Sequence, residues 1–277
     1  MKKILAISGG IDSMCLMHMY RNDPEAIVAH FNHGTRPSAD DDQLFVAKFA
    51  KKYGLEFCAK KVMLGPTVSE ADAREARYQF LNELARKFNG QIYTAHHLND
   101  LFESITINIA RGTGWRGLTP FSNTTIEHPL LHFSKSDIYR YAIANHIVFR
   151  QDPTNTESGY LRNRLRPAIA MLIAERPDLA EELHDLYLSQ CNLRQSIEAI
   201  TSQIFPDSRS YPRAPFVELD DNVAEELLRN VLAEHQISAT RPQICNFLSA
   251  IRTYHSGKQF NLPKDRLVRF NKTSFML

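Results

Sequence analysis

Ile4-Leu5-Ala6-Ile7-Ser8-Gly9-Gly10-Ile11-Asp12-Ser13 reads as a buried strand that runs into a glycine turn and then a helix. The expected elements are a strand over 3–8 and a helix over 13–21. Adjacent glycines let the backbone turn sharply with no Cβ in the way. Free N–H groups at the start of the helix then face the turn, and the helix dipole favours an anion there. Ser8 and Ser13 add hydroxyl donors. A phosphate group is the natural occupant of Ser8, Gly9, Gly10, Ile11, Asp12 and Ser13. The loop is not a Walker A motif, because no Lys follows Gly10, and it lacks the three spaced glycines of the dinucleotide fingerprint.

Outward from this loop, strand and helix patterns alternate. Strands are expected over 26–32, 56–62 and 91–95, and helices over 38–53, 69–88 and 98–111. Such alternation predicts an α/β fold, an open parallel sheet covered by helices on both faces. In such sheets a ligand sits beyond the carboxyl ends of the strands. Three polar segments fall there: 8–13, 30–36 and 94–100. Residues 112–133 read as loop. Helical patterns follow, interrupted at Pro167 and Pro177, and short strands are expected at 259–262, 266–270 and 274–277. The expected organisation is a nucleotide domain over 1–185 and a smaller, mostly helical domain with short terminal strands over 186–277.

Composition limits the function classes. A net charge of +2 on 277 residues means that any surface for a polyanion must be local. No apolar run reaches membrane-spanning length, and the N-terminal run is cut short by Ser-Gly-Gly, unlike a signal peptide. The cysteines, Cys15, Cys58, Cys191 and Cys245, are far apart, with no C-x-x-C pair for a zinc or sulfur-carrying site. A cytoplasmic protein with reduced thiols and no membrane partner is expected.

Five further segments suit chemistry. In His96-His97-Leu98-Asn99-Asp100-Leu101-Phe102-Glu103, the acids are three apart at a helix start and share a face. With phosphate oxygens they suit Mg²⁺, whereas zinc lacks a third ligand here; equally, the segment reads as a surface helix start with two acids and two capping histidines. At 30–36, strand-end backbone can read an adenine edge with Phe31 or His30 against the ring, but by itself the segment reads as an ordinary loop between strand and helix. Glu70, Arg74 and Arg77 form one helical stripe, which suits either a solvated ion pair or a phosphate clamp. Arg111-Gly112-Thr113-Gly114, next to Trp115, and the alternating Arg162, Arg164 and Arg166 suit RNA phosphates and stacked bases, or simply solvent.

The Ser-Gly-Gly-x-Asp-Ser loop resembles that of the ATP pyrophosphatases, the PP-loop proteins, whose fold is that of the adenine-nucleotide α-hydrolases. In order along the chain, 8–13, His33-Gly34-x-Arg36, Ser69-Glu70-x-x-Ala73-Arg74-x-x-Arg77-Tyr78, Ala95-His96-His97-x-x-Asp100-x-x-Glu103, Arg111–Gly114, Pro129-Leu130-Leu131, Asp152-Pro153-Thr154-Asn155 and Tyr160-x-Arg162-Asn163-x-x-Arg166 resemble the tRNA(Ile)-lysidine synthase family. That resemblance implies ATP and Mg²⁺, an isoleucine tRNA with a CAU anticodon, and free lysine as partners. A homodimer is compatible with it. It implies catalytic roles for Asp12, Arg77, Asp100 and Glu103, with Mg²⁺ near Asp12, Asp100 and Glu103. ATP binding falls to 8–13, His30, Asn32 and Arg74, and tRNA binding to Arg111, Gly112, Thr113, Gly114, Arg162 and Arg166.

The chain departs from that pattern in places. Asn32 and Asn99 stand where the family usually has acids, and Leu101 and Ser104 where it often has Gln and Thr. Two rivals follow: another PP-loop tRNA-modifying enzyme, such as a thiolating relative that would need a reactive Cys, and an inactive tRNA-binding relative.

Overall fold

The computed structural model describes residues 1–34, 39–63, 69–150, 161–205, 209–263 and 265–277. Contacts within the chain divide it into two units, Met1–Leu188 and Ser189–Leu277.

The first unit alternates β1 (Lys2–Ala6), α1 (Ile11–Met19), β2 (Ala26–Asn32), α2 (Ala39–Lys52), β3 (Glu56–Lys61), α3 (Glu70–Phe88), β4 (Gly90–Tyr93) and α4 (Leu98–Ala110). A 3-10 turn (Trp115–Leu118), β5 (Ile126–Glu127), α5 (Lys135–Ala144) and α6 (Leu161–Glu175) follow. The five strands are all parallel, in the order β3-β2-β1-β4-β5. Side chains alternate between two cores, as the strand period requires. Leu5 and Val28 face Met14, Leu16, Val46 and Ile138 of α1, α2 and α5. Ile4, Ile27, Ala29 and Ile92 face Phe80, Leu81 and Leu84 of α3. With helices on both faces, the sheet is the expected open α/β architecture.

Strand order positions the site. The chain leaves β1 for β2 and β3 on one side, then crosses back to β4 on the other. This reversal opens a crevice at the carboxyl ends of β1 and β4, the position at which sheets of this kind hold ligands.

Two expectations need correction. Residues 112–133 are not all loop: β5 adds a fifth strand through Ile92↔Ile126 and Tyr93↔Glu127. It is too short for a periodicity signal. Nor does Pro167 interrupt α6, which runs through it. Proline removes one bond to the preceding turn, and packing of α6 against α4 holds the helix across that gap. The expected cap at Ser38 and the Asp152–Asn155 turn lie outside the described residues.

In the second unit, helix α7 (Pro177–Ile204), which begins in the first, leads to β6 (Ser210–Pro212), α8 (Ala214–Glu218), α9 (Asp221–Glu234) and α10 (Arg241–Thr253). β7 (Gln259–Leu262), β8 (Arg266–Phe270) and β9 (Ser274–Met276) end the chain. The strands form an antiparallel sheet in the order β6-β9-β8-β7. Phe216, Leu228, Phe247, Ile251, Val268, Phe270 and Phe275 fill its core. The short strands expected at the C-terminus are present, and β6 joins them. No helix among the described residues is long and apolar enough to cross a membrane.

Candidate active site

Residues 8–13 form a tight cradle at the end of β1. Ser13 Oγ accepts from the backbone N–H of Ser8 and of Gly9, each at 3.2 Å, and donates to the Gly10 carbonyl at 2.9 Å. Gly10 caps α1 without a side chain, so the first-turn N–H groups of α1 have no intrahelical partner. Gly9 has φ +98°, a conformation that L side chains rarely adopt. The N–H of Arg150 donates to the Gly9 carbonyl at 2.9 Å and straps the turn from outside.

Asp12 points from the first turn of α1 toward two other elements. Lys135 Nζ, at the start of α5, lies 2.6 Å from Asp12 Oδ1. His97, just before α4, places Nε2 at 3.8 Å from Asp12 and 3.5 Å from Asp100. Burial lowers the pKa of His97, against the opposing pull of Asp100 and Asp12, which favours neutral imidazole between the two carboxylates. The His97 N–H donates to Asp100 at 3.1 Å, holding the first turn of α4. Asn99 Oδ1 accepts from the Lys135 N–H at 2.9 Å and joins the starts of α4 and α5.

Glu103 has other company. It is almost wholly buried and takes Arg166 Nε at 3.1 Å from Oε1, across the α4–α6 contact. Among the described residues no group of three or more His, Cys, Asp or Glu is arranged to hold a metal ion. Of the expected trio, Asp12 and Asp100 meet through His97, whereas Glu103 pairs with Arg166. The Asp–x–x–Glu spacing gave no hint of this, because the partner lies 63 residues further on.

At the end of β2, His30 donates from Nδ1 to the Ile7 carbonyl at 2.8 Å, and burial lowers its pKa. This bond ties the second strand end to the cradle. Asn32 donates to Asp40 Oδ1 at 2.9 Å, and its Oδ1 accepts from the Gly34 N–H at 2.9 Å. An Asp at position 32 would put two carboxylates together here. Asn32→Asp is expected to lower the melting temperature by a few degrees, and Asp40→Asn in the same chain to restore it. Thermal unfolding of the two variants checks this. The chain therefore accommodates its departure at position 32 locally.

The end of β4 carries a second histidine group. Thr94 Oγ1 lies 2.8 Å from His96 Nδ1 and 2.7 Å from His128 Nδ1. A single hydroxyl satisfies both when it donates to one imidazole and accepts from the other. Burial drives the His96 pKa well below its usual value and that of His128 down to about 4, and the nearby positive charge of Arg74 acts in the same direction. Arg77 adds to this field at His96 and at half-buried His33. Arg74 and Arg77 flank Tyr78, with guanidinium carbons 4.9 and 5.4 Å from the ring centre. The positive charge of Arg74 and Arg77 on α3 is thus felt at the end of β4.

The shifted His128 has a measurable consequence. Its folded pKa lies below the unfolded value, so between pH 6.5 and 4 the unfolded chain binds more protons. Its contribution to stability is complete above pH 6.5 and falls away as the pH drops toward 4, a loss of about 2–3 kcal/mol. Urea unfolding at pH 7 and pH 4.5 should show this loss, and His128→Gln should flatten the slope.

Arg111–Gly114 sits at the far end of α4. Eleven residues along a helix separate Asp100 from Arg111, about 16 Å at the helical rise. The segment is braced locally by Thr113 Oγ1 donating to the Asn108 carbonyl and Asn108 donating to that of Gly117, each at 3.0 Å. Arg116 lies over the Trp115 ring, 5.0 Å from its centre. Arg162 belongs to α6, its side chain lying outside the described residues, as do Arg36 and Asp152–Asn155 in full. A cavity of about 630 Å³ adjoins the starts of α4 and α5, lined in part by Leu98, Ser134, Asp137, Ile173, Glu181 and Asp185.

Sequence reading missed Lys135 and His128. Lys135 lies within Ser-Lys-Ser-Asp, which signals only a helix cap, and His128 follows a two-residue strand. Burial raises the thiol of Cys15 to about 12 and also raises that of Cys58, which disfavours the thiolate at both.

A parallel sheet with a Ser-Gly-Gly-x-Asp-Ser cradle at its switch point defines a class, and a family model for the PP-loop domain matches residues 1–173. Among curated proteins, the tRNA(Ile)-lysidine synthase of Clostridium tetani is 38% identical over 190 residues, 63% of this chain and 41% of that protein. That of Haemophilus ducreyi is 30% identical over 292 aligned residues, 99% of this chain and 68% of that protein. The chain belongs to the PP-loop family and, within it, to the tRNA(Ile)-lysidine synthase family. It spans less than half the length of the Clostridium tetani relative and 43% of that from Actinobacillus pleuropneumoniae. Among solved structures, the U34-tRNA thiolase NcsA of Methanococcus maripaludis superposes with a TM-score of 0.56 at 17% identity. The match covers 69% of this chain and 72% of that one, a likeness of fold alone.

Proposed function

We propose that this chain ligates lysine to C2 of the wobble cytidine of an isoleucine tRNA with a CAU anticodon, at the expense of ATP. The carbonyl oxygen at C2 attacks the α-phosphate, and pyrophosphate leaves. An amine of lysine then attacks C2, gives up a proton, and AMP leaves. The observation that carries this reading is the 8–13 cradle at the switch point, with Asp12, His97, Asp100 and Lys135 converging on its rim, in a chain whose relatives are named for this reaction.

The residues divide the work. First-turn N–H groups of α1 and the hydroxyl of Ser8 hold the leaving pyrophosphate, in a turn that Ser13 braces through its own hydroxyl. Arg74 and Arg77 stabilise negative charge as it builds on the transferring phosphate. His30 and Asn32 shape the wall that takes the adenine. Asp12 and Asp100, about 30% and 24% exposed, offer the one or two carboxylates that Mg²⁺ uses beside phosphate oxygens. They fit such an ion, which when bound would neutralise charge on the pyrophosphate. Glu103 supports the site through Arg166. Arg111–Gly114, Arg162 and Arg166 contact tRNA.

Purified chain, a tRNA(Ile) CAU transcript and Mg-ATP test the first half. Pyrophosphate should appear once tRNA is supplied, in about one equivalent per bound tRNA, and AMP with continued turnover only when lysine is added. Pyrophosphate release with no lysine transfer would indicate another nucleophile. Silent protein that still binds the tRNA would favour the inactive relative.

A further inference from the structure

Lys135 is held more closely than its place in a capping segment requires. Its N–H donates to Asn99 Oδ1, and its ammonium lies 5.4 Å from the centre of the Tyr139 ring. It follows directly on Ser134, whose N–H donates to Asp137 Oδ2 at 2.8 Å and whose hydroxyl accepts from the Asp137 N–H at 3.2 Å. The base of the lysine stem is therefore fixed by two helix starts. The ammonium reaches Asp12 Oδ1 at 2.6 Å with both side chains about 30% exposed, so the pair lies at the solvent-facing rim of the cradle. Ion pairs open to solvent add little to stability, and stability alone does not account for this restraint.

Electrostatics supplies a reason. Asp12 stands in the first turn of α1, beside the N–H groups that suit an anion. Its carboxylate by itself would repel a phosphate chain entering there. An ammonium has three donors and can hold a carboxylate and a phosphate oxygen together. We infer that Lys135 is a further phosphate-binding residue of this site, cancelling the charge of Asp12 and contacting the terminal phosphates of a nucleoside triphosphate, which become the pyrophosphate. This rests on the nucleotide reading of the cradle given above.

Calorimetric titration of the purified chain with ATP, pyrophosphate and AMP tests it, comparing Lys135→Met with Lys135→Arg. The methionine variant should bind ATP and pyrophosphate more weakly by about tenfold or more and AMP within about twofold of the unchanged chain. The arginine variant should keep most of the affinity. Unchanged pyrophosphate affinity in the methionine variant overturns the assignment, and so does an equal loss of AMP, which would mark a structural role. If the unchanged chain binds neither ATP nor pyrophosphate, the nucleotide reading itself falls and takes the inference with it.

Discussion

Asp12→Ala is expected to slow tRNA-dependent pyrophosphate release by on the order of 10²- to 10³-fold, the usual loss when a group that organises transition-state charge is removed. Asp12 joins three elements at the rim of the cradle. It carries the Lys135 ion pair, faces His97, and through His97 reaches Asp100. Alanine leaves Ser13 and its backbone bonds intact, so the turn itself should survive. Binding of the tRNA, assigned to Arg111–Gly114 and α6, should stay within about twofold, since Arg111 lies about 16 Å along α4 from Asp100. Quenched-flow measurement of pyrophosphate together with a filter-binding curve separates the two effects. Turnover equal to that of the unchanged chain would remove Asp12 from the mechanism.

Gly9→Val should fail for a different reason. At φ +98° a β-branched residue is strained by the backbone alone, at a cost of about 1–3 kcal/mol. A Cβ there would meet Val46 Cγ2 at an ordinary 3.5 Å, so crowding is secondary for the first carbon. Relief of the strain requires the turn to open. That would move the Gly9 carbonyl from the Arg150 N–H and the Gly9 N–H from Ser13 Oγ. Both a lower urea midpoint and at least a tenfold weaker affinity for ATP are expected. Normal nucleotide affinity in a folded Gly9→Val chain would mean that the cradle geometry is not what binds phosphate.

Much of this was legible in the sequence because it is local or periodic. The strand and helix alternation over the first hundred residues follows from apolar spacing, and the parallel sheet follows from the alternation. Ser8–Ser13 carries its own turn chemistry, so its shape could be read without a partner. The reversal of strand order that makes it a crevice is a long-range property, set by which strands pair. The same limit hid the partner of Glu103. Asp100 meets His97, three residues before it, whereas Glu103 from the same helix start meets Arg166, 63 residues further on. Lys135 and His128 were missed for the same reason: each is ordinary in its own segment and acquires meaning only beside Asp12 or Thr94. Pro167 shows the reverse case, where a strong local signal for a break is overridden by packing of α6 on α4.

Asn32 illustrates how a departure from a family pattern is judged. The sequence alone suggested a lost charge. In the fold its amide donates to Asp40, which supplies a carboxylate within 2.9 Å of the same place. Asn99 likewise accepts from the Lys135 backbone, a task its carbonyl oxygen performs without a charge. Both side chains hold neighbouring elements of the site in register.

The most direct test is transfer of labelled lysine to RNA. The purified chain is incubated with Mg-ATP, labelled lysine and a tRNA(Ile) CAU transcript, beside a transcript whose wobble cytidine is replaced by uridine. The account predicts acid-stable label on the first RNA, none on the second, and one AMP formed per lysine attached. Label on neither RNA while ATP and tRNA both bind, or equal label on both, would contradict it.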